Sequence, residues 1–172
     1  VQSFHESVAL KHGNLSAILA DICAFSNTNG GTIFIGVAPL HSANPNGVNN
    51  PTQVVEALNK EFDDRLSPPV KVTLDIQKYK NKDIIRILIP RGDDSPYALD
   101  ENQVFIRDES ETNLAVRDEI VSLVERHIQN QTYNSENDSA ASTNKKQTNE
   151  IVNNLPNPTS IDPITGVEIT ES

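Results

Sequence analysis

Hydrophobic positions recur at helical spacing in three segments of the chain. Over residues 15–26 they fall every three or four positions, which places them on one face of a helix. The same spacing predicts a second helix over residues 52–66 and a last helix over residues 116–128. Pro68 and Pro69 follow the second helix and would end it, because proline cannot continue a helical hydrogen-bond ladder.

Runs rich in β-branched residues predict strands between these helices. Residues 32–37 form a nearly continuous apolar run, which is typical of a strand buried on both faces. Residues 72–76 and 85–89 alternate apolar and polar side chains, and the polar residues 79–83 between them predict a hairpin turn. With an extended first segment and a short strand over residues 103–107, the order is β-α-β-α-β-β-β-α. This order predicts an α+β fold, in which helices pack on one mixed β-sheet within a single domain.

The composition of the chain changes after residue 131. We expect residues 1–131 to form the folded domain. Residues 132–160 are rich in Asn, Ser and Thr, and they bury too little apolar surface to offset the entropy of ordering, so we expect a disordered linker. Residues 161–172 regain some alternation and are either the first strand of a truncated second domain or an acidic tail. Because the chain begins with Val1 and contains no methionine, we expect a fragment or a processed protein.

The charge of the chain restricts its partners. The net charge is −10, and residues 1–131 carry 12 basic against 18 acidic side chains. This balance argues against nonspecific electrostatic attraction to nucleic acid, so such binding would need a local basic patch. No apolar stretch is long enough to span a membrane, and we expect no membrane partner. A single cysteine, Cys23, is typical of a reducing, cytoplasmic location, and its place on an apolar helix face predicts a core residue rather than a nucleophile.

Sequence patterns typical of catalysis are missing from the chain. There is no phosphate loop, no Gly-x-Gly-x-x-Gly and no Gly-x-Ser-x-Gly motif. The four histidines lack the i, i+4 spacing of a helical metal site, so we expect no metal and no cofactor. The carboxylates of residues 63–64, 93–94 and 108–111 fall in helix ends or loops, without the convergence that a two-metal nuclease requires.

Basic residues cluster in sequence around the predicted hairpin. Arg86 is opposite in phase to Ile85 and Ile87, so it projects from the other face of the sheet. Together with Tyr79, these cations could form a patch that contacts backbone phosphates, although nearby aspartates make an ordinary solvated hairpin an equal alternative. The candidate phosphate contacts are Lys71, Lys78, Lys80, Lys82, Arg86 and Arg107.

The turn at residues 27–31 has two interpretations. Its exposed backbone amides could cradle a phosphate oxygen. Alternatively, it ends the first helix, and its glycines fit a tight connection between helix and strand. We favour the second interpretation, because the negative end of the helix dipole would repel an anion there.

The segment that contains this turn resembles the Schlafen-type AlbA-2 domain. Residues 24–37 match the family core Ala-Phe-Ala-Asn-Thr-x-Gly-Gly-x-hydrophobic-hydrophobic-Ile-Gly-Val. Residues 4–7 resemble the opening Glu-Phe-Lys-Glu-Ser, and residues 96–97 and 104–107 resemble the late Pro-Tyr and Tyr-Ile-Arg elements, so the likeness covers nearly all of residues 1–129. The motif residues are Phe25, Asn27, Thr28, Gly30, Gly31 and Gly36.

The resemblance implies an AlbA-2 or Schlafen-core-like fold and a DNA- or RNA-binding role, often within a transcriptional regulator. Family members are sometimes labelled ATP-binding proteins, but no nucleotide motif accompanies the likeness here. Some Schlafen relatives cut RNA with three carboxylates. Two of these acids flank the opening Phe-Lys element, and one follows the apolar strand. In this chain Ser3 stands before Phe4 and residues 38–39 follow the strand, so neither position is acidic, and the third position would precede Val1. His5 also replaces the family lysine, which removes a permanent cation.

The sequence therefore predicts a noncatalytic, cytoplasmic nucleic-acid-binding module with a regulatory role. One alternative is a protein-interaction or oligomerisation domain that forms a homodimer. Acidic charge, few aromatic residues and a hairpin edge able to accept another strand favour it. A further alternative is a Schlafen-like metal-dependent ribonuclease, against which the missing carboxylates argue.

Overall fold

A computed structural model describes residues 1–8, 14–38 and 44–153 of the chain. The elements in chain order are β1 (Gln2–His5), α1 (Asn14–Asn27), β2 (Gly31–Ile35), α2 (Pro51–Arg65), β3 (Leu66–Ser67), β4 (Thr73–Tyr79), β5 (Lys82–Ile89), β6 (Ala98–Leu99), β7 (Phe105–Asp108), β8 (Glu111–Leu114) and α3 (Arg117–Asn153). The predicted α+β class is confirmed. Every predicted helix and strand is present. The structure also contains the short strands β3, β6 and β8, which no alternating pattern in the sequence predicts.

Four strands form the main sheet in the order β1-β2-β5-β4. β1 runs parallel to β2, whereas β5 is antiparallel to both β2 and β4. The remaining short strands form two separate pairs, β3 with β6 and β7 with β8. The main sheet is therefore mixed, as the sequence predicts.

The hydrophobic core lies on one face of this sheet. Ile33 and Ile35 of β2 and Ile85 and Ile87 of β5 are fully buried there, because alternate residues of a strand point to the same side. The apolar stripe of α1 and the side chains of Leu58 and Phe62 from α2 complete this core. Burial of each large aliphatic side chain contributes roughly 1.5–3 kcal/mol, which fixes which face of the sheet receives the helices.

The prediction that β2 is buried on both faces is wrong for the second face. Thr32 and Phe34, which alternate with the buried isoleucines, are only partly buried. A continuous apolar run does not distinguish a strand between two layers from one at the surface of a two-layer fold.

The predicted hairpin between β4 and β5 is confirmed. Lys80 and Asn81 have φ values of 46° and 62°, so both central residues of the two-residue turn are left-handed. Turns of this type match the twist of the adjoining strands, and asparagine tolerates the left-handed conformation.

Residues 1–131 form one compact unit, and a second unit begins at residue 132. Helix α3 extends through Asn153, beyond the predicted end at residue 128. Residues 132–153, for which composition predicts disorder, are helical here, and an α-helix satisfies its own backbone hydrogen-bonding groups. The assignment of residues 132–160 as a linker stays a prediction, and the expectation for residues 161–172 lies outside the described residues.

Candidate nucleic-acid interface

The strand register places a second set of side chains on the face of the sheet opposite the core. Within the described residues, α1 and α2 both pack on the core face, so neither helix covers this second face. We call it the outer face. Its residues are Gln2, Phe4, Thr32, Phe34, Lys82, Ile84, Arg86, Leu88, Thr73, Asp75, Gln77 and Tyr79.

Two phenylalanines form an aromatic pair on the outer face. Phe4 and Phe34 are register partners on the parallel strands β1 and β2. Their ring centroids lie 5.5 Å apart at an interplanar angle of 16°, which is a stacked geometry. Both rings are half-buried, and Leu88 on neighbouring β5 is 37 % exposed. Part of each ring and the side chain of Leu88 therefore reach solvent on this side of the sheet.

Arg86 continues the same row but is neutralised by an acid. Its Nε and one Nη donate to the two carboxylate oxygens of Asp75, each over 2.9 Å. These hydrogen bonds lower the pKa of Asp75 from its ordinary value. The position predicted for Arg86 is confirmed, but the predicted phosphate contact would have to compete with this bidentate pair.

The tip of the β4–β5 hairpin carries the densest group of cations on the outer face and its rim. We call residues 78–82 the hairpin tip. Tyr79 is 43 % exposed, Lys80 Nζ lies 5.5 Å from the centre of its ring, and Lys82 is its partner across the hairpin. Lys78 pairs with Asp83 at 3.1 Å, although its side chain remains 78 % exposed. Lys80 and Lys82 thus lie beside Tyr79, whereas Lys78 and Asp83 lie on the opposite face of the hairpin.

Arg107, the sixth predicted phosphate contact, is a core cation and not part of the hairpin tip. Its side chain is 8 % exposed, and its guanidinium group lies over the ring of Phe25, 5.1 Å from the ring centre. One Nη donates to Thr112 over 2.8 Å and to Asp21 over 3.3 Å. These contacts leave the group unavailable to a phosphate on the surface. The remaining predicted residue, Lys71, is exposed and precedes β4.

Asp21 is the centre of a buried polar network that joins β1, α1 and the β7–β8 pair. Ser3 Oγ donates to Asp21 Oδ2 over 2.5 Å, and His5 Nε2 lies 2.9 Å from the same oxygen. Thr112 donates to Oδ1 over 2.6 Å. Burial by itself would raise the pKa of Asp21, but the hydrogen bonds from His5, Ser3 and Thr112 outweigh it and lower the pKa.

The residues of this network do not form a hydrolytic triad. In a triad, the histidine lies between the hydroxyl group and the carboxylate, so that it can take the hydroxyl proton. Here Ser3 and His5 both contact one oxygen of Asp21. Through Asp21, the network joins three separate parts of the fold.

Among the motif residues, Asn27 binds other parts of the fold. It is 1 % exposed, and its Nδ2 donates to the carbonyl oxygens of Tyr97 and Phe105, each over 2.9 Å. Its Oδ1 accepts a hydrogen bond from the backbone N–H of Tyr97 over 2.7 Å. Thr28 Oγ1 donates to the carbonyl oxygen of Ala24 within the last turn of α1, and Phe25 is fully buried. These polar groups are occupied within the protein.

The glycines of the motif allow close approaches between backbones. Gly30 has a φ of 72°, and a Cβ there would lie 2.6 Å from the carbonyl oxygen of Ile89. Its N–H donates to the carbonyl oxygen of Phe25 over 2.8 Å, which ends α1 in a left-handed cap. Gly31 lies against the Phe25 ring, and Gly36 has a φ of 95° against Gly47. The geometry supports the interpretation of the turn as a helix stop.

Sequence reasoning missed one buried cation, Arg126, which is repelled by the charge of a residue that lines a cleft, Arg91. The cleft, of about 410 Å³, is lined by residues 69–71, 90–94 and 97, which include Lys71 and Arg91. Arg126 of α3 has two buried guanidinium nitrogens that have no hydrogen-bond partner among the described residues. Its pKa is lowered, first by burial and then by the charge of Arg91. No sequence signal separates this arginine from the other polar residues of an amphipathic helix.

The described part of the chain holds no group of three or more His, Cys, Asp or Glu side chains able to bind a metal ion. It also contains no helix with the length and apolar content needed to cross a membrane. The expectation that the chain has no catalytic activity stays a prediction.

Comparison with known proteins identifies the family of this domain. The family model described as "Schlafen, AlbA_2" matches residues 2–116. The chain belongs to this family. The matched residues of the AlbA_2 domain contain the main sheet, α1, α2 and the β7–β8 pair, so the resemblance seen in the sequence is confirmed.

A solved structure shares the overall fold of this AlbA_2 domain. The chain is similar to the DIP2311 protein from Corynebacterium diphtheriae, with a TM-score of 0.54 and 12 % identity. The likeness covers 70 % of this chain but 26 % of that one, so the chain spans about a quarter of that protein's chain. A weaker likeness, with a TM-score of 0.43 and 14 % identity, is to the N-terminal domain of an ATP-dependent DNA helicase RecG-related protein from Nitrosomonas europaea, covering 67 % of this chain and 74 % of that one. A search of curated proteins finds no match.

Proposed function

We propose that this AlbA_2 domain is a noncatalytic nucleic-acid-binding module that contacts the phosphate backbone with its hairpin tip. The observation that carries the proposal is the exposed Tyr79, with Lys80 over its ring and Lys82 across the hairpin. Exposed aromatic rings beside cations are typical of surfaces that bind nucleic acid without base-specific hydrogen bonds. Family membership over residues 2–116 supports the same function, because the resemblance implies DNA or RNA binding.

The six predicted contacts contribute unequally to this proposal. Lys80 and Lys82 of the hairpin tip are its principal phosphate contacts, whereas Lys78 lies on the opposite face of the hairpin and Lys71 at the other end of β4. Arg86 and Arg107 serve the fold through Asp75 and Asp21. The domain would act in the cytoplasm as the nucleic-acid-binding part of a regulator.

Direct binding tests the proposal. The full chain is titrated into fluorescein-labelled DNA and RNA oligonucleotides of about 16 nucleotides at about 50 mM salt, and anisotropy is recorded. We expect saturable binding that Lys80→Ala with Lys82→Ala weakens. Lys60→Ala, an exposed lysine on α2, is the matched control and should leave affinity unchanged. Absence of binding to every oligonucleotide, or equal affinity of the double variant and the parent, would overturn the proposal.

A second candidate function is self-association through α3, and a specific observation favours it. Val121, Val124 and Ile128 are 42 %, 39 % and 57 % exposed and recur at helical spacing. Leu114 and Val116, just before the helix, are 60 % and 63 % exposed. An apolar stripe of this kind is typical of helices that pair with a partner. Light scattering after size exclusion would detect a dimer, and Val124→Glu should dissociate it.

A further inference from the structure

The outer face presents a row of flat side chains that the proposed function does not use. In register order, Phe4, Phe34 and Arg86 lie side by side on β1, β2 and β5. Adjacent strands are separated by about 4.8 Å, so the row is about 10 Å across. The two hydrogen bonds that Arg86 donates to Asp75 hold its guanidinium group in one plane at the end of this row.

Along β5, this row leads toward the hairpin tip. Lys82 and Tyr79 belong to the same outer face, and Lys82 lies four positions from Arg86 on β5, with Ile84, which is 5 % exposed, between them. Four strand residues extend over about 13 Å. About four stacked nucleotides span the same distance, since one strand advances about 3.4 Å per nucleotide. One short oligonucleotide can therefore reach both the lysines and the phenylalanines.

The chemistry of the row distinguishes single strands from duplexes. Base faces are available for stacking in a single strand, whereas in a duplex the neighbouring base pairs cover them. The charge of Arg86 is balanced by Asp75, so the row offers stacking surface and little net charge. A protein that bound only the backbone of a duplex would need cations along this row. On the described outer face the lysine, Lys82, lies at the hairpin tip instead.

We infer that the partner is a single-stranded nucleic acid, whose bases stack on Phe4 and Phe34 while its phosphates meet the lysines of the hairpin tip. This inference rests on the proposed function and adds the class of nucleic acid and the path of the strand. Stacking on aromatic side chains tolerates any base, so the preference is for strandedness and not for sequence.

Substitutions that remove the aromatic plane but keep apolar bulk test the inference in the full chain. Phe4→Leu and Phe34→Leu should each weaken binding of labelled oligothymidylate at least about fivefold, because one stacked base contributes about 1–3 kcal/mol. Phe34→Tyr keeps the ring and should bind within about twofold of the parent. The matched control is Phe105→Leu on β7, outside the main sheet. Urea unfolding of each variant confirms that it folds before binding is compared.

The dependence on salt and on competitors separates this inference from the proposed function. The leucine variants should keep the salt slope of the parent, whereas loss of Lys80 and Lys82 lowers it. Unlabelled single strand should displace the probe, and a duplex of the same sequence should not. The inference would be overturned if both leucine variants bound with parental affinity, or if the duplex competed as well as the single strand. The proposed function of the hairpin tip would still stand in that case, provided that the lysine variant lost affinity. Failure of the parent to bind any oligonucleotide would overturn both.

Discussion

Asn27 and Tyr97, seventy positions apart in the chain, are joined by two hydrogen bonds. The side-chain amide of Asn27 donates to the carbonyl oxygen of Tyr97 and accepts from its N–H. A third bond reaches the carbonyl oxygen of Phe105 at the start of β7. The end of α1 is thereby fastened to the segment that leads into the β7–β8 pair, so the most distinctive motif of the sequence holds the fold together.

Asn27→Asp should destabilise the protein severely. The substitution removes both N–H donors and places carboxylate oxygens against two buried carbonyl oxygens, so we expect a loss of about 3 kcal/mol or more in the free energy of unfolding. Urea unfolding followed by circular dichroism measures it. Asn113→Asp makes the same chemical change at an exposed position of β8 and should alter stability by less than about 0.5 kcal/mol. Equal effects of the two changes would contradict the role assigned to Asn27.

The salt dependence of binding should report the lysines of the hairpin tip. Each phosphate contact to a single strand contributes about 0.7 to the slope of log affinity against log salt. Lys80→Ala combined with Lys82→Ala should therefore lower that slope by about 1.4. Anisotropy titrations at several salt concentrations give the slope, with Lys60→Ala as the reference. A double variant with reduced affinity but the parental slope would show that the lysines do not contact phosphates.

Asp21→Asn should remove stability at neutral pH and much less in acid. Folding lowers the pKa of Asp21, so the unfolded chain holds this proton more tightly. The stability that results is present above the ordinary carboxyl pKa of about 4 and is lost as pH falls through the lower folded-state value.

Urea unfolding at neutral pH should show a loss of about 3 kcal/mol for Asp21→Asn, because Arg107 is left buried without its acid. The difference from the parent should shrink at about pH 3. Asp118 and its partner Arg117 both have side chains that are 87 % exposed, so Asp118→Asn should lower the free energy of unfolding by less than about 1 kcal/mol. A constant difference at both pH values would contradict the predicted ionisation of Asp21.

Arg126→Met should stabilise the domain. Two of its guanidinium nitrogens are buried without partners, and the charge of Arg91 repels them. Methionine has a similar length and helix propensity, so it removes an unsatisfied charge without opening the helix. We expect a gain of about 1 kcal/mol in the free energy of unfolding. Arg117→Met on the exposed first turn of α3 is the control, and a loss of stability for Arg126→Met would show that the arginine has a stabilising partner.

Local patterns predicted most of the elements but few of their partners. The helical spacing in α1 and the alternation in β4 and β5 are properties of short segments, which explains why their positions could be read directly from the sequence. The hairpin pattern also predicted the face of the sheet on which Arg86 lies, because a two-residue turn sets the register between β4 and β5.

Contacts between distant segments could not be predicted in this way. Arg107 and Asp21 are separated by 86 positions, and nothing near Arg107 in the sequence indicates that it is buried. The stacking of Phe4 on Phe34 depends on the parallel pairing of β1 with β2, which no turn specifies. The same uncertainty explains why six cations could be named as one patch although the fold buries Arg107 and places Lys71 at the end of β4 opposite the hairpin tip.

The single thiol of the chain lies inside the junction that Asn27 forms. Cys23 is fully buried, its Sγ donates to the carbonyl oxygen of Tyr97 over 3.2 Å, and burial raises the pKa of the thiol to about 11. A thiol in this state reacts with alkylating agents only after the junction opens. The rate at which such a reagent modifies the folded protein therefore measures how often α1 separates from its neighbours, and the measurement requires no introduced label.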